Sequence, residues 1–132
     1  MDRLRERLTV ARRAVQTFSE LALLPRPTTT ERDAAIQRFE YSVEAVWKAA
    51  QRFLLVVEGV DVGSPKSAIR ASREAGLLSL DQAEAALVMA DDRNLTAHTY
   101  NEAVAIAIFG RIPGHLRTLE TWLAAMTERV PR

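Results

Sequence analysis

The sequence contains no cysteine. That absence excludes disulfides, thiolate metal sites and a cysteine nucleophile. Long apolar runs are missing as well. No stretch approaches the ~20 residues needed to span a bilayer, so no membrane segment is expected. The opening Met1-Asp2-Arg3-Leu4-Arg5-Glu6-Arg7 leads into no uninterrupted apolar segment, which argues against a secretory leader. A cytoplasmic setting is the default expectation. Lysine is scarce, being confined to Lys48 and Lys66, and the other basic side chains are arginine. Charge of either sign in excess is also lacking: 18 basic against 17 acidic residues leave a formal net charge of +1. No global field therefore draws the molecule onto DNA or an anionic membrane, and any RNA contact is confined to a local patch.

What is present suits an ordinary folded domain. Hydrophobic residues make up 48% of the 132 positions and charged residues 27%, which fits one domain over residues 1–132 with one core. Apolar residues recur at helical spacing. Leu4, Leu8, Ala11, Val15, Phe18 and Ala22 share one helix face, opposite Arg5, Glu6, Arg12, Arg13 and Gln16. Pro25 and Pro27 end that helix. Thr28 to Thr30, followed by Glu31 and Asp33, mark the next start. Ile36, Phe39, Val43, Val46, Ala50, Phe53 and Val57 then continue a stripe that Trp47, Leu54 and Val56 widen. A helix from Glu31 to Glu58 would be roughly 40 Å long. That length exceeds the needs of a small bundle and suggests that part of the stripe packs against a second copy of the chain.

Further along, Ser64-Pro65 reads as a cap and first helical residue, and Gly76 as the residue just past a short helix. Ser79 with Gln82 forms a capping box before a helix that carries Leu80, Ala83, Leu87 and Ala90 inward. Thr99 with Glu102 reads as another box, starting a helix near Tyr100. Ala103 to Phe109 is apolar nearly all round and reads as a buried central segment. Gly110, Pro113 and Gly114 interrupt it. A last helix places Leu116, Leu119, Leu123, Met126 and Val130 on one side, with Trp122 beside them. The expected fold is all-α, an up-and-down helical bundle of five or six helices around a four-helix core.

Candidate chemistry concentrates between Asp91 and Glu102. His98 and His115 are the only histidines, and histidine is the side chain whose ordinary titration lies near neutral pH. His115 stands among no residues that suggest chemistry. His98 does: Arg93 and Asn94 lie upstream at a helix end, and Tyr100 lies downstream at a helix start. Together they supply a fixed cation, a proton carrier and a hydroxyl, the parts needed to act on a phosphodiester without metal. A plain structural reading also stands. Arg93 can pair with Asp91 or Asp92, His98 can bond a loop carbonyl and Tyr100 can simply pack. A metal site built on Asp91 and Asp92 is not expected, because no third ligand has helical spacing to them.

The run Arg93-Asn94-Leu95-Thr96-Ala97-His98-Thr99-Tyr100 resembles the R-x4-H-x-Y signature of the HEPN superfamily, and most closely its nucleotidyltransferase substrate-binding branch, which includes the HepT-like toxins. The resemblance extends more weakly from Arg32 to Met126 and covers the first 28 residues less clearly. It implies a helical bundle that pairs as a homodimer, with two Arg-His motifs facing one another across the dimer. It implies metal-independent RNA cleavage by attack of the ribose 2′-hydroxyl, with no cofactor. His98 would then be the general base or acid, Arg93 the phosphate clamp and Asn94 an orienting group. Tyr100 would be the residue adenylylated by a partner minimal nucleotidyltransferase. The alternative it leaves open is a non-catalytic subunit that presents substrate, or itself, to such a partner.

Overall fold

Three of the helix starts use one device. Thr28, Ser64 and Ser79 each accept a hydrogen bond from the backbone N–H three residues on. The side chains of Glu31, Ser67 and Gln82 return the bond to the backbone N–H of the cap. Each such cap is worth about 1 kcal/mol. Two helix ends are equally local: Gly59 and Gly76 take left-handed conformations with φ of 70° and 78°, which close the helices that begin after Thr28 and Ser64.

The computed structural model describes residues 1–131; Arg132, the last residue of the expected domain, lies outside the described residues. Five α-helices appear among them: α1 (Asp2–Ala22), α2 (Thr29–Glu58), α3 (Pro65–Glu74), α4 (Leu80–Leu95) and α5 (Glu102–Arg129). A 3₁₀ turn, Thr96–His98, joins α4 to α5. No helix among the described residues is long and apolar enough to cross a membrane.

Contacts fix the directions. Thr17 late in α1 bonds Tyr41 early in α2, while Arg3 and Lys48 line one groove, so α1 and α2 run antiparallel. Arg5 reaches the Pro131 carbonyl, so α5 also runs against α1. Asp92 meets Arg111 while Gln82 shares a groove with Thr121, so α4 runs against α5. The result is an up-and-down bundle of α1, α2, α4 and α5, with α3 packed on α2 and α4. Phe18, Phe39, Phe53 and Trp122 are completely buried in one continuous core. Each contributes roughly 1.5–3 kcal/mol relative to an exposed side chain. The Trp122 indole N–H donates to the buried Ser72 hydroxyl at 3.0 Å, which ties α3 to α5.

The structure corrects several expectations. Most of the long stripe of α2 is not free for a second copy, because Ile36, Phe39, Val43, Val46, Ala50 and Phe53 are buried in the chain's own core, while Val56 and Val57 at its end are partly exposed. Leu80 does not point inward but is 53% exposed. The segment from Ala103 to Phe109 is not buried all round: Ala105 and Ile108 are buried, whereas Ile106 is exposed. Gly110, Pro113 and Gly114 do not interrupt a helix. They lie inside α5, which runs unbroken through Pro113. Proline removes one intrahelical hydrogen bond and costs about 3 kcal/mol. Burial of Ile108 and Ile112 before the break and of Leu116 and Leu119 after it offsets that cost by holding both halves to one core.

Candidate functional site

The motif falls at the junction of α4 and α5. Its turn is built by hydroxyl groups. Thr96 Oγ1 donates to the Arg93 carbonyl at 2.6 Å, and Thr99 Oγ1 donates to the Thr96 carbonyl at 3.2 Å. The Asn101 N–H then donates to the His98 carbonyl at 3.0 Å. The expected Thr99–Glu102 capping box does not form. Asn101 caps α5 instead, its side-chain oxygen accepting from the N–H groups of Ala103 and Val104. Thr99 is occupied by its bond back toward α4. Thr96 is buried and anchors the turn, while His98 and Tyr100 project outward.

The structure brings His98 and Tyr100 together. The Tyr100 hydroxyl lies 3.4 Å from His98 Nδ1, and the rings meet edge-on with centroids 6.0 Å apart. Tyr100 is 86% exposed, the most open of the large apolar or aromatic side chains among the described residues. Arg93 turns elsewhere. Its guanidinium lies 3.7 Å from Glu40 and 3.4 Å from Glu44, both on α2. Glu44 is itself fixed, accepting from the Trp47 indole N–H at 3.2 Å. The Arg93 Nε is buried and has no partner. No hydrogen bond joins Arg93 to His98 among the described residues. Asn94 is exposed and lines a cleft of about 350 Å³ with Arg93, Glu44 and Lys66.

The two aspartates do not serve Arg93, contrary to the structural reading of the sequence. Asp91 pairs with Lys66 at 2.6 Å. Asp92 is buried and takes a two-pronged bond from Arg111, from Nε at 2.7 Å and Nη2 at 2.8 Å. It also lies 2.6 Å from His115 Nε2. His115 is buried too, and its ring stacks on Phe39 at 5.1 Å. Burial raises the Asp92 pKa, but the hydrogen bonds from Arg111 and His115 outweigh it, and the carboxyl is held below its ordinary value. Burial pushes the His115 imidazole down, against the pull of Asp92. A carboxylate only accepts, so a neutral His115 carries its proton on Nε2 and leaves Nδ1 as an acceptor.

Sequence reasoning passed over His115. One signal was available: with Ile108, Ile112 and Leu119 it sits on the buried stripe of α5, and a buried imidazole needs a polar partner. Among the described residues no three histidine or acidic side chains group as metal donors.

The protein is an up-and-down α-bundle that carries Arg93, His98 and Tyr100 at the end of one helix and the start of the next. The chain belongs to the family described as "Nucleotidyltransferase substrate binding protein like", whose model matches residues 6–128. The match takes in nearly all of α1, which the motif alone covered poorly. A Thermus thermophilus protein of known structure is 52% identical, covering 88% of this chain and 98% of its own, with a TM-score of 0.86. A Haemophilus influenzae structure, described as the fold of a substrate binding domain of a nucleotidyltransferase, shares the fold at 21% identity, with a TM-score of 0.77 over 91% of this chain and 98% of its own. A tri-AMPylated HEPN toxin from Shewanella oneidensis, solved in complex with its MNT antitoxin, shares the fold at 14% identity. Its TM-score is 0.77 over 98% of this chain and 99% of its own. No curated protein matches the chain.

Proposed function

We propose that this chain works with a minimal nucleotidyltransferase as a HEPN-type toxin: a metal-independent endoribonuclease silenced by adenylylation of Tyr100. The observation that carries this reading is the exposed Tyr100 hydroxyl beside His98 Nδ1. His98 would move the proton of the ribose 2′-hydroxyl, which attacks the adjacent phosphate and expels the 5′-oxygen, leaving a cyclic phosphate. Arg93 would stabilise the charge on the phosphoryl oxygens, with Asn94 beside it. An AMP group on Tyr100 would place a bulky anion against His98 and block the approach of RNA. The AMPylated state and antitoxin complex of the Shewanella protein support this reading.

Within one chain Arg93 is tied to α2 and does not reach His98. That separation supports a composite site in a homodimer, one copy supplying Arg93 and the other His98. The side chains we assign to such pairing are Leu95 and Ile106, 41% and 57% exposed, on either side of the motif turn in the chain. A cytoplasmic location, where RNA and a nucleotidyltransferase are both available, goes with this reading.

One observation favours the alternative, a non-catalytic subunit that presents itself to the nucleotidyltransferase. Glu40 and Glu44 compensate the charge of Arg93 and compete with any phosphate. Incubation of the purified protein with RNA, beside a His98→Ala variant, separates the two. The ribonuclease reading expects cyclic-phosphate ends from the wild type alone; equal cleavage by both, or by neither, overturns it. Adenylylation is read independently, by mass spectrometry after incubation with the nucleotidyltransferase and ATP.

A further inference from the structure

We propose that the groove between α4 and α5 is a binding site for a nucleoside monophosphate, separate from the His98 turn. The groove is open to solvent along its length and has a volume of about 660 Å³, within the range of roughly 300–1,000 Å³ usual for small-molecule sites. Its floor is the part of α5 that breaks helix rules. Gly110, Pro113 and Gly114 all weaken a helix interior. None of the three is buried, so core packing does not explain them. A Cβ added at Gly110 would meet nothing within 4 Å. Bare backbone and a proline ring leave space for a planar ring to lie against the helix. The half-exposed Val88 of α4 forms the facing wall.

Charge sits at one end. Arg111 is held by Asp92 through Nε and Nη2, which leaves both Nη1 hydrogens and the second Nη2 hydrogen as donors. A guanidinium fixed in this way loses little freedom on gripping an anion, but Asp92 already balances its charge, so the net positive charge of the groove comes from Arg117. Burying Asp92 and His115 carries a desolvation penalty, and one product of that penalty is an aimed Arg111. Arg117 folds back along the same helix, its Nη2 lying 3.6 Å from the position of a Cβ on Gly114. His115 lines the groove as well. The opposite end carries Asp81, Gln82 and Thr121. The Asp81 carboxylate repels a second anionic group there, while the amide and hydroxyl suit sugar hydroxyls or a base edge. One phosphate, a flat apolar-faced middle and a hydrogen-bonding end whose carboxylate excludes a second phosphate describe a nucleoside monophosphate.

Calorimetric titration of the full chain with AMP, adenosine and inorganic phosphate tests the site. AMP binds saturably, and adenosine and phosphate each bind at least about tenfold more weakly. Arg117→Ala, which leaves the Asp92 network intact, weakens AMP binding about tenfold. Gly110→Leu fills the groove and abolishes binding while the melting temperature holds or rises, because leucine is the better helix former. His98→Ala binds AMP as the wild type does. Absence of saturable AMP binding, phosphate binding as tightly as AMP, or wild-type affinity in either groove variant overturns the proposal, and loss of binding in His98→Ala overturns the separateness of the site. None of these readouts uses RNA cleavage, so the groove and the ribonuclease reading fail or stand independently.

Discussion

Asp92 Oδ2 lies 2.6 Å from His115 Nε2, and both side chains are almost completely buried. Asp92 immediately precedes Arg93 in α4, and His115 follows Pro113 and Gly114 in α5. This pair, with Arg111, is the polar clasp between the helix that ends in the motif and the helix that begins after it. Its loss should therefore disturb the motif turn as well as the core.

Asp92→Asn keeps the shape of the side chain but removes the charge facing Arg111 and His115. Breaking a buried ion pair costs about 3–5 kcal/mol. Arg111 is 44% exposed and can rehydrate, so the lower end, about 3 kcal/mol, is expected. Urea unfolding of the variant measures it; a loss below about 1 kcal/mol would show that the clasp is dispensable.

Stability should also fall on mild acidification. The folded-state pKa of His115 lies below its ordinary 6.5, chiefly through burial. Well above its ordinary pKa the imidazole is neutral in both states and no proton is taken up on unfolding. Below it the unfolded chain binds a proton that the folded chain resists, so stability is lost as pH falls from about 6.5 toward the folded pKa. Asp92, also depressed, adds its loss only below its ordinary 3.8. Denaturation curves between pH 7.5 and about 5 should show the first decline in the wild type and a flatter profile in His115→Gln.

These two residues mark where the sequence stops being legible. Helices α1 to α4 follow from features within a few residues of one another, namely stripe spacing, Thr28, Ser64 and Ser79 caps and the two left-handed glycines. α5 was misjudged because Gly110 and Pro113 act locally, whereas Ile112, Leu116 and Leu119 hold the helix through contacts from distant elements. The position of His98 beside Tyr100 was legible, since both lie in one turn. The partners of Arg93 were not: Glu40 and Glu44 stand far back along the chain on α2, and Asp91 and Asp92 are nearer in sequence but point to Lys66 and to the Arg111–His115 pair.

The Ser72–Trp122 bond offers a cleaner test of the core. Ser72→Ala leaves the buried indole N–H without an acceptor, which costs about 1–3 kcal/mol. Trp122→Phe in the same background removes the stranded donor. The double variant should therefore lose less than the sum of the single losses, a coupling that a double-mutant cycle in urea reads directly.

Tyr100→Phe separates folding from modification. The ring is 86% exposed, so stability should change by less than about 0.5 kcal/mol. The phenol oxygen that would accept AMP is gone. Incubation with the nucleotidyltransferase and ATP should leave the variant at its unmodified mass; addition of AMP to the variant as in the wild type would move the modification to another residue.

Glu44→Gln tests what the acids around Arg93 do. Glu44 is partly exposed, so the ion pair itself contributes at most about 1 kcal/mol and the variant should fold normally. Its effect on RNA has two opposed signs. If Glu44 competes with phosphate for the guanidinium, neutralising it tightens RNA binding, by about fivefold for 1 kcal/mol released. If Glu44 instead aims the guanidinium, held as it is by the Trp47 indole, the variant binds more weakly. The carboxylates of Glu40 and Glu44, 3.7 and 3.4 Å from the guanidinium, favour competition, because they balance the charge that a phosphate would meet. Fluorescence anisotropy with a short RNA in a His98→Ala background, where no cleavage occurs, reads the sign. Tighter binding is the expected outcome; weaker binding would make Glu44 a positioning residue for Arg93.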